Sequence, residues 1–154
     1  MKLDGSRQSQ YELSMTPEWL VGVDHIGIAV KDLGVAKTTY EQILGFSLGH
    51  EEVLEERGIS VQFVHCGTSR LELIAPNHEH SEVSKFLEKR GEGIHHICLE
   101  VKNIDFVLKV MHERGAQLID QTPRPGANNS RVAFLHPKGT HGVLLELVEH
   151  RKTN

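Results

Sequence analysis

Two histidines and two glutamates stand at matching places in a chain of 154 residues. His25 lies in DHIGIAVKDL (24–33) and His96 in HHICLEVKNI (95–104), 71 positions apart (96 − 25); Glu72 lies in RLELIA (70–75) and Glu146 in LLELVE (144–149), 74 apart (146 − 72). Between them VQFVHCGT (61–68) pairs with VAFLHPKG (132–139), so three blocks recur in the same order at a nearly constant offset. Two imidazoles and two carboxylates form a mixed nitrogen and oxygen donor set. Such a set suits one divalent Co, Mn, Ni, Zn or Fe(II) ion better than Ca or Mg. Four protein donors leave an octahedral ion two positions for a chelating substrate, which is a catalytic arrangement and not a closed structural one.

The remaining chemistry-bearing residues carry a plainer reading. His78 and His80 in PNHEH fall in a polar linker, where a solvated turn is expected. His95 is expected to point away from His96, into packing or a backbone hydrogen bond. His65 and His136 recur between the copies at strand ends, where turn support is expected. Arg124, Arg131 and Lys138 offer either a phosphate contact or ordinary surface charge. Cys66 and Cys98 are too few and too widely spaced for a disulfide framework or a zinc pair, and read as reduced core thiols.

Strand and helix periodicity says which elements must position the four residues. Ile26, Ile28 and Val30 alternate, as do Ile97, Leu99 and Val101, so His25 and His96 face the opposite side of their strands from these apolar rows. Leu71 and Leu73 flank Glu72, and Leu145 and Leu147 flank Glu146, with the same consequence. Each histidine strand runs into an Asx residue, Asp32 or Asn103, suited to cap a helix; Gly45 and Gly115 suit its end. Leu33, Ala36, Tyr40, Ile43 and Leu44 recur at helical spacing in the first copy, and Ile104, Val107, Leu108 and Met111 in the second. Three strands follow each helix, about 46–55, 59–66 and 69–75, then 116–120, 131–136 and 143–149.

The order is β-α-β-β-β, twice. It predicts an α+β fold: two tandem modules forming a cupped, partly closed mixed β-sheet with helices on the outside and all four candidate ligands facing away from them. Gly27, Ala29 and Cys98 beside the ligands leave room for a bound molecule. Module one spans about 22–76 and module two about 93–149 within a single domain of 21–150. A helical linker of about 80–91 joins them, with Val83, Phe86 and Leu87 on its apolar face. Residues 1–20 stand outside the repeat as an arm that is flexible or contacts a dimer partner.

Net charge is −4 and the basic residues are scattered, which argues against a nucleic-acid partner. No apolar run reaches the roughly 18 residues a membrane span needs, and the opening MKLDGSRQSQYELSMTPEW is too polar for a signal peptide, so a cytoplasmic protein is expected.

The repeat resembles the vicinal-oxygen-chelate superfamily, which includes glyoxalase I, extradiol dioxygenases, bleomycin-resistance proteins and methylmalonyl-CoA epimerases. Its epimerase branch is the nearest match, over about residues 22–149, through DHIGIAVKDL, YEQILGF, KFLEKRGEGIHHICLEV and FLHPKGTHGVLLELVE. That resemblance implies metal positions at His25, Glu72, His96 and Glu146. The implied reaction is epimerisation of methylmalonyl-CoA, by α-proton abstraction and reprotonation through a metal-stabilised enolate, with Glu146 and Glu72 as acid–base groups. It further implies a small acyl-CoA substrate and a homodimer. A glyoxalase-I-type lactoylglutathione lyase is the alternative. Extradiol dioxygenases have no need for Glu72, and a binding module of the drug-sequestering kind has no need for the four ligands. Two departures stand out. Gly126, Ala127, Asn128 and Asn129 replace the G-A-H-G frequent in epimerases. The second glutamate proposed for some members, on the strand before that of Glu72, has no counterpart in GISVQFV, where Gln62 is the one long polar side chain.

Overall fold

The computed structural model describes residues 16–152. Of the arm expected at 1–20, residues 1–15 therefore lie outside the described residues. Eight strands form one mixed sheet: β1 Leu20–Ala29, β2 Leu48–Leu54, β3 Ile59–Cys66, β4 Ser69–Pro76, β5 Gly93–Val101, β6 Arg124–Pro125, β7 Arg131–Leu135 and β8 Leu145–Glu149. Their spatial order is β2-β3-β4-β1-β5-β8-β7-β6. The two module-leading strands, β1 and β5, pair antiparallel at the centre, and each carries its module's last strand, β4 or β8, in parallel on its outer side. The result is a sheet of two βαβββ modules that curls into a cup.

Helix α1 (Leu33–Thr38) starts where the Asp32 carboxylate accepts the Val35 N–H, and α3 (Ile104–Glu113) where the Asn103 side-chain oxygen accepts the Phe106 N–H. Gly45 and Gly115 follow at φ 77° and 86°, a left-handed backbone at which glycine avoids the Cβ penalty. Against the convex face, Leu33 and Ala36 of α1 and Tyr40 just after it meet Val30 and Leu73, while Ile104, Val107 and Leu108 of α3 meet Ala133 and Leu147.

Two expectations need correction. The helical stripe does not continue through Ile43 and Leu44: Thr39–Ile43 form a π turn, whose extra residue rotates both side chains outward to 73% and 55% exposure. The strand expected over 116–120 shrinks to a single bridge, Leu118 to Leu135, followed by the short β6. Here the Asp120 carboxylate takes the Phe134 N–H that a ladder carbonyl would have accepted, and Pro123 and Pro125 have no N–H to give. The linker helix α2 (Glu82–Arg90), capped by Ser81, forms where a helical linker was expected. Its Val83, Phe86 and Leu87 pack on Ala29, Phe63 and Ile74, which share the face of His25 and Glu72, so α2 closes one end of the cup.

Candidate metal centre and active site

Strand parity delivers the four side chains to the concave face. β1 and β4 pair in parallel with Gly27 beside Glu72, and β5 and β8 with Cys98 beside Glu146, so each glutamate enters next to the small residue two places past its module's histidine. Across the central β1–β5 ladder, Gly27 stands opposite His96 and Cys98 opposite His25. The modules thus meet about a pseudo-two-fold axis.

His25 Nε2 lies 3.0 Å from His96 Nε2, 3.2 Å from Glu72 Oε2 and 3.9 Å from Glu146 Oε2, and His96 Nε2 is 2.8 Å from Glu146 Oε2. Donors about 2.1 Å from a shared ion stand about 3.0 Å apart at right angles and about 4.2 Å apart on opposite sides. The donor atoms of His25, Glu72 and His96 lie within 4.8 Å of one another and could hold one divalent ion, and Glu146 approaches them from the His96 side at 2.8 Å. All four residues are 1–5% exposed. Two carboxylates at that depth need compensating positive charge, which a divalent ion supplies. Burial raises the Glu72 carboxyl above the ordinary range, assisted by the charge of Glu146. For Glu146 burial acts the same way, but the His96 charge and hydrogen bond and the charge of His25 outweigh it and hold the carboxyl low.

The walls repeat with the same symmetry. Phe63, opposite Glu72 on β3, meets the His25 ring edge-on at 5.7 Å; Phe134, opposite Glu146 on β7, meets the His96 ring at 5.8 Å. Gly27 is small for a reason other than substrate space: a Cβ there would lie 2.2 Å from His96 Cε1, so its missing side chain makes room for the ligand ring. Arg57 stacks over Phe134 at 5.6 Å and lines the cavity with His25, Glu72 and Glu146.

The residues preceding the two histidines depart from simple alternation. The β1–β5 register shifts at Asp24 and again at His95, so each is a bulge residue between paired neighbours. His95 consequently does not point away from His96: its Nδ1 is 3.0 Å from His96 Nδ1, and its ring also meets Phe86 at 4.9 Å. Burial and the adjacent His96 charge pull its pKa down to about 4, leaving the ring neutral at neutral pH. Asp24, which alternation gave no reason to single out, takes the His25 Nδ1–H at 2.6 Å. An acid at the repeat position equivalent to His95 was the signal available in the sequence.

Most other candidates sit elsewhere. His78 and His80 are exposed in their turn, His136 accepts the Lys138 N–H, and Gln62 on the outer face donates to the Gly49 and Phe63 carbonyls without reaching the cup. Arg131 is committed to a two-pronged pair with Asp105, whereas Arg124, 3.3 Å from Asp120, lies over the Phe134 ring at 5.3 Å and so stands at the wall of the cup. Cys98 is buried, whereas Cys66 is exposed at a strand end and not in the core as expected. The cavity at the ligands holds only about 10 Å³, space for one water-sized body, because the turn 126–130 covers it. That turn is tied across the cup by the Asn128 N–H donating to Glu52 Oε2 at 2.7 Å.

Comparison with known proteins shows which relatives the chain resembles in sequence and fold. The Bacillus subtilis uncharacterized protein YqjC is 43% identical over 127 residues, covering 82% of this chain and 91% of its own. The ethylmalonyl-CoA/methylmalonyl-CoA epimerase of Cereibacter sphaeroides is 38% identical, covering 81% and 95%. Among solved structures, a point variant of Streptomyces coelicolor methylmalonyl-CoA epimerase in complex with 2-nitronate-propionyl-CoA superposes with a TM-score of 0.83 at 38% identity, covering 88% and 98%. Residues 24–134 match the family model, and the chain belongs to the glyoxalase/bleomycin resistance protein/dioxygenase superfamily.

Proposed function

We propose that this chain is a metal-dependent epimerase of methylmalonyl-CoA or a close 2-alkylmalonyl thioester. The observation that carries the reading is a pair of buried carboxylates, one from each module, standing 3.2 Å (Glu72) and 3.9 Å (Glu146) from the same His25 nitrogen. Inverting a carbon between a thioester and a carboxylate needs a proton removed on one face and returned on the other, and two symmetry-related carboxylates meet that need. The relatives named as epimerases, and the acyl-CoA analogue in the Streptomyces structure, support the substrate class.

His25, Glu72, His96 and Glu146 would hold the divalent ion, which when bound supplies Lewis-acid stabilisation to negative charge developing on the substrate oxygens, worth several kcal/mol. The protein's own groups do the rest. One glutamate takes the α-proton as the C–H electrons pass into the carbon–carbon bond toward the thioester, and the other returns a proton to the opposite face; the reverse reaction exchanges their roles. No third acid competes from β3, whose Ile59, Val61 and Phe63 form an apolar wall at the cup. Phe63 and Phe134 keep water from the reacting carbon, and Arg57 offers a cation to the free carboxylate.

The thioester arm is too large for the cup and requires the 126–130 turn to move. A groove of about 530 Å³ on the far side of His95 and His96, lined by Phe86, Ile94 and Val143 with Lys85 and Lys89 at its rim, matches an arm with an apolar stem and anionic phosphates. A homodimer belongs to the same proposal. It is supported by the outer edge of β2, which pairs with no strand among the described residues, and by the exposed Val35, Ile43 and Leu44. Sedimentation tests it: a single species at the monomer mass, unchanged with concentration, removes the dimer.

The second reading is a glyoxalase-I-type lyase, because a similar donor set serves enediolate chemistry on a glutathione hemithioacetal. Assaying both substrates with the same metal-loaded preparation separates them. Epimerisation without lactoylglutathione formation is the expected result; lyase activity alone overturns it.

A further inference from the structure

Each ligand histidine is preceded by a bulge residue whose side chain turns back onto the histidine's Nδ1, and the two bulge residues are chemically unlike. On His96 the partner is His95, an imidazole 3.0 Å away. On His25 it is a carboxylate: Asp24 Oδ2 accepts the Nδ1–H at 2.6 Å, and the Asp24 side chain is only 7% exposed. Asp24 is itself held from two directions. Arg70 Nη2, on β4, donates to Oδ2 at 2.6 Å, and His150 Nε2, just past β8, donates to Oδ1 at 2.5 Å. The network therefore joins β1 with the strands that carry Glu72 and Glu146.

We propose that Asp24 is the positioning residue that makes His25 the more firmly fixed of the two histidine ligands. By taking the Nδ1–H it fixes the tautomer that leaves the Nε2 lone pair facing Glu72, His96 and Glu146, and by its charge it makes that lone pair a stronger donor. His95 can accept a hydrogen bond from the His96 Nδ1–H in the same sense but brings no negative charge, so the pseudo-symmetric centre is unequal outside its four ligands. Arg70 is braced by Phe63, whose ring it covers at 4.3 Å, and Phe63 also meets the His25 ring, so the Asp24 brace and the aromatic wall form one unit.

This inference rests on the metal-site reading of the previous section, and its test separates the two. Zn(II) and Co(II) affinities of the full chain are measured by competition with a chromophoric chelator for the wild type, Asp24→Asn, Arg70→Gln and His95→Gln. Thermal midpoints of the ion-free proteins are measured alongside. The exchangeable Nδ1–H of His25 in the Co(II)-loaded protein is then followed by proton NMR, a readout that a purely structural role for Asp24 would not move. Asp24→Asn is expected to weaken metal binding by about 10–100-fold and to shorten the lifetime of that proton, with His95→Gln causing a smaller loss. Wild-type affinity in Asp24→Asn overturns the inference while leaving the metal site standing. So does weakened affinity with an unchanged Nδ1–H lifetime, since Asp24 would then act through stability alone. A wild-type chain that takes up neither ion removes the metal-site reading and this inference together.

Discussion

Replacing Gly27 by alanine is the smallest change that separates the metal centre from the fold carrying it. A Cβ at this position would stand 2.2 Å from His96 Cε1, 2.4 Å from Nδ1 and 2.8 Å from Nε2. Carbon atoms in contact settle at about 3.5–4.0 Å, so the imidazole must withdraw by about 1.3 Å or more. It has little space to do so. The ring is 1% exposed and bounded by the rings of Phe134 at 5.8 Å, His95 at 5.3 Å and His25 at 5.2 Å. Metal–nitrogen bonds tolerate about 0.2 Å, so a displacement of this size removes His96 from the ligand set. Losing a whole ligand costs more than losing its hydrogen-bonded support, so affinity is expected to fall by more than about 100-fold.

The fold is expected to persist. Gly27 is outside the positive-φ positions, so alanine carries no backbone penalty there, and crowding of one methyl in a packed site costs about 1–3 kcal/mol. Isothermal titration with Co(II) or Zn(II), paired with thermal unfolding of the ion-free protein, gives both quantities. Ala29→Gly, two residues along the same face, serves as the control whose metal affinity stays at the wild-type level. A Gly27→Ala protein that binds the ion with wild-type affinity and stoichiometry would refute the placement of His96 among the ligands.

Glu146→Gln and Glu72→Gln are each expected to lower epimerisation by about 10²-fold or more with protein folded and metal retained, and full activity in metal-loaded Glu146→Gln contradicts its role as base. The His25 pKa is raised above 6.5 in the ion-free protein, where hydrogen bonding to Asp24 and the charges of Glu72 and Glu146 overcome the opposing effect of burial. Metal binding below that raised value must expel a proton, so apparent affinity should climb about tenfold per pH unit and level off above it; a pH-independent Kd between pH 5 and 7 excludes His25. His95 shifts the other way, from 6.5 to about 4. Between those values the unfolded chain binds the extra proton, so stability should rise with pH across that window by up to about 3 kcal/mol, and His95→Gln should flatten the rise in denaturant titrations. Glu52→Gln, which weakens the strap to Asn128 across the cup, is expected to speed metal release to a chelator without changing the unfolding free energy of the ion-free protein by more than about 0.5 kcal/mol, and an unchanged release rate argues against the 126–130 turn as the cover.

The convergence of His25, Glu72, His96 and Glu146 was legible in the sequence because it depends on two robust signals, an internal repeat and the two-residue period of a strand. Both modules, their Asx caps and their glycine stops followed from the same patterning. The features that escaped it are those where periodicity breaks. Asp24 and His95 occupy bulges, and a bulge residue no longer obeys the alternation that would have sent His95 to the opposite face. Ile43 and Leu44 fit a helical stripe on paper, but a π turn adds a residue and swings them outward. The α2 helix showed its apolar face in the sequence without showing what that face would cover, because packing of Val83 and Phe86 on the mouth of the cup is a matter of tertiary arrangement and not of local pattern.

The central claim, that Glu72 and Glu146 move a proton at the α-carbon of a malonyl thioester, is tested most directly by incubating methylmalonyl-CoA with the metal-loaded protein in heavy water and following deuterium at that carbon. The account predicts incorporation of one deuterium with inversion in the wild type, and its loss in both Glu146→Gln and Glu72→Gln. Epimerisation at wild-type rate in the double variant, or no exchange at all with a metal-loaded wild-type protein, would contradict it.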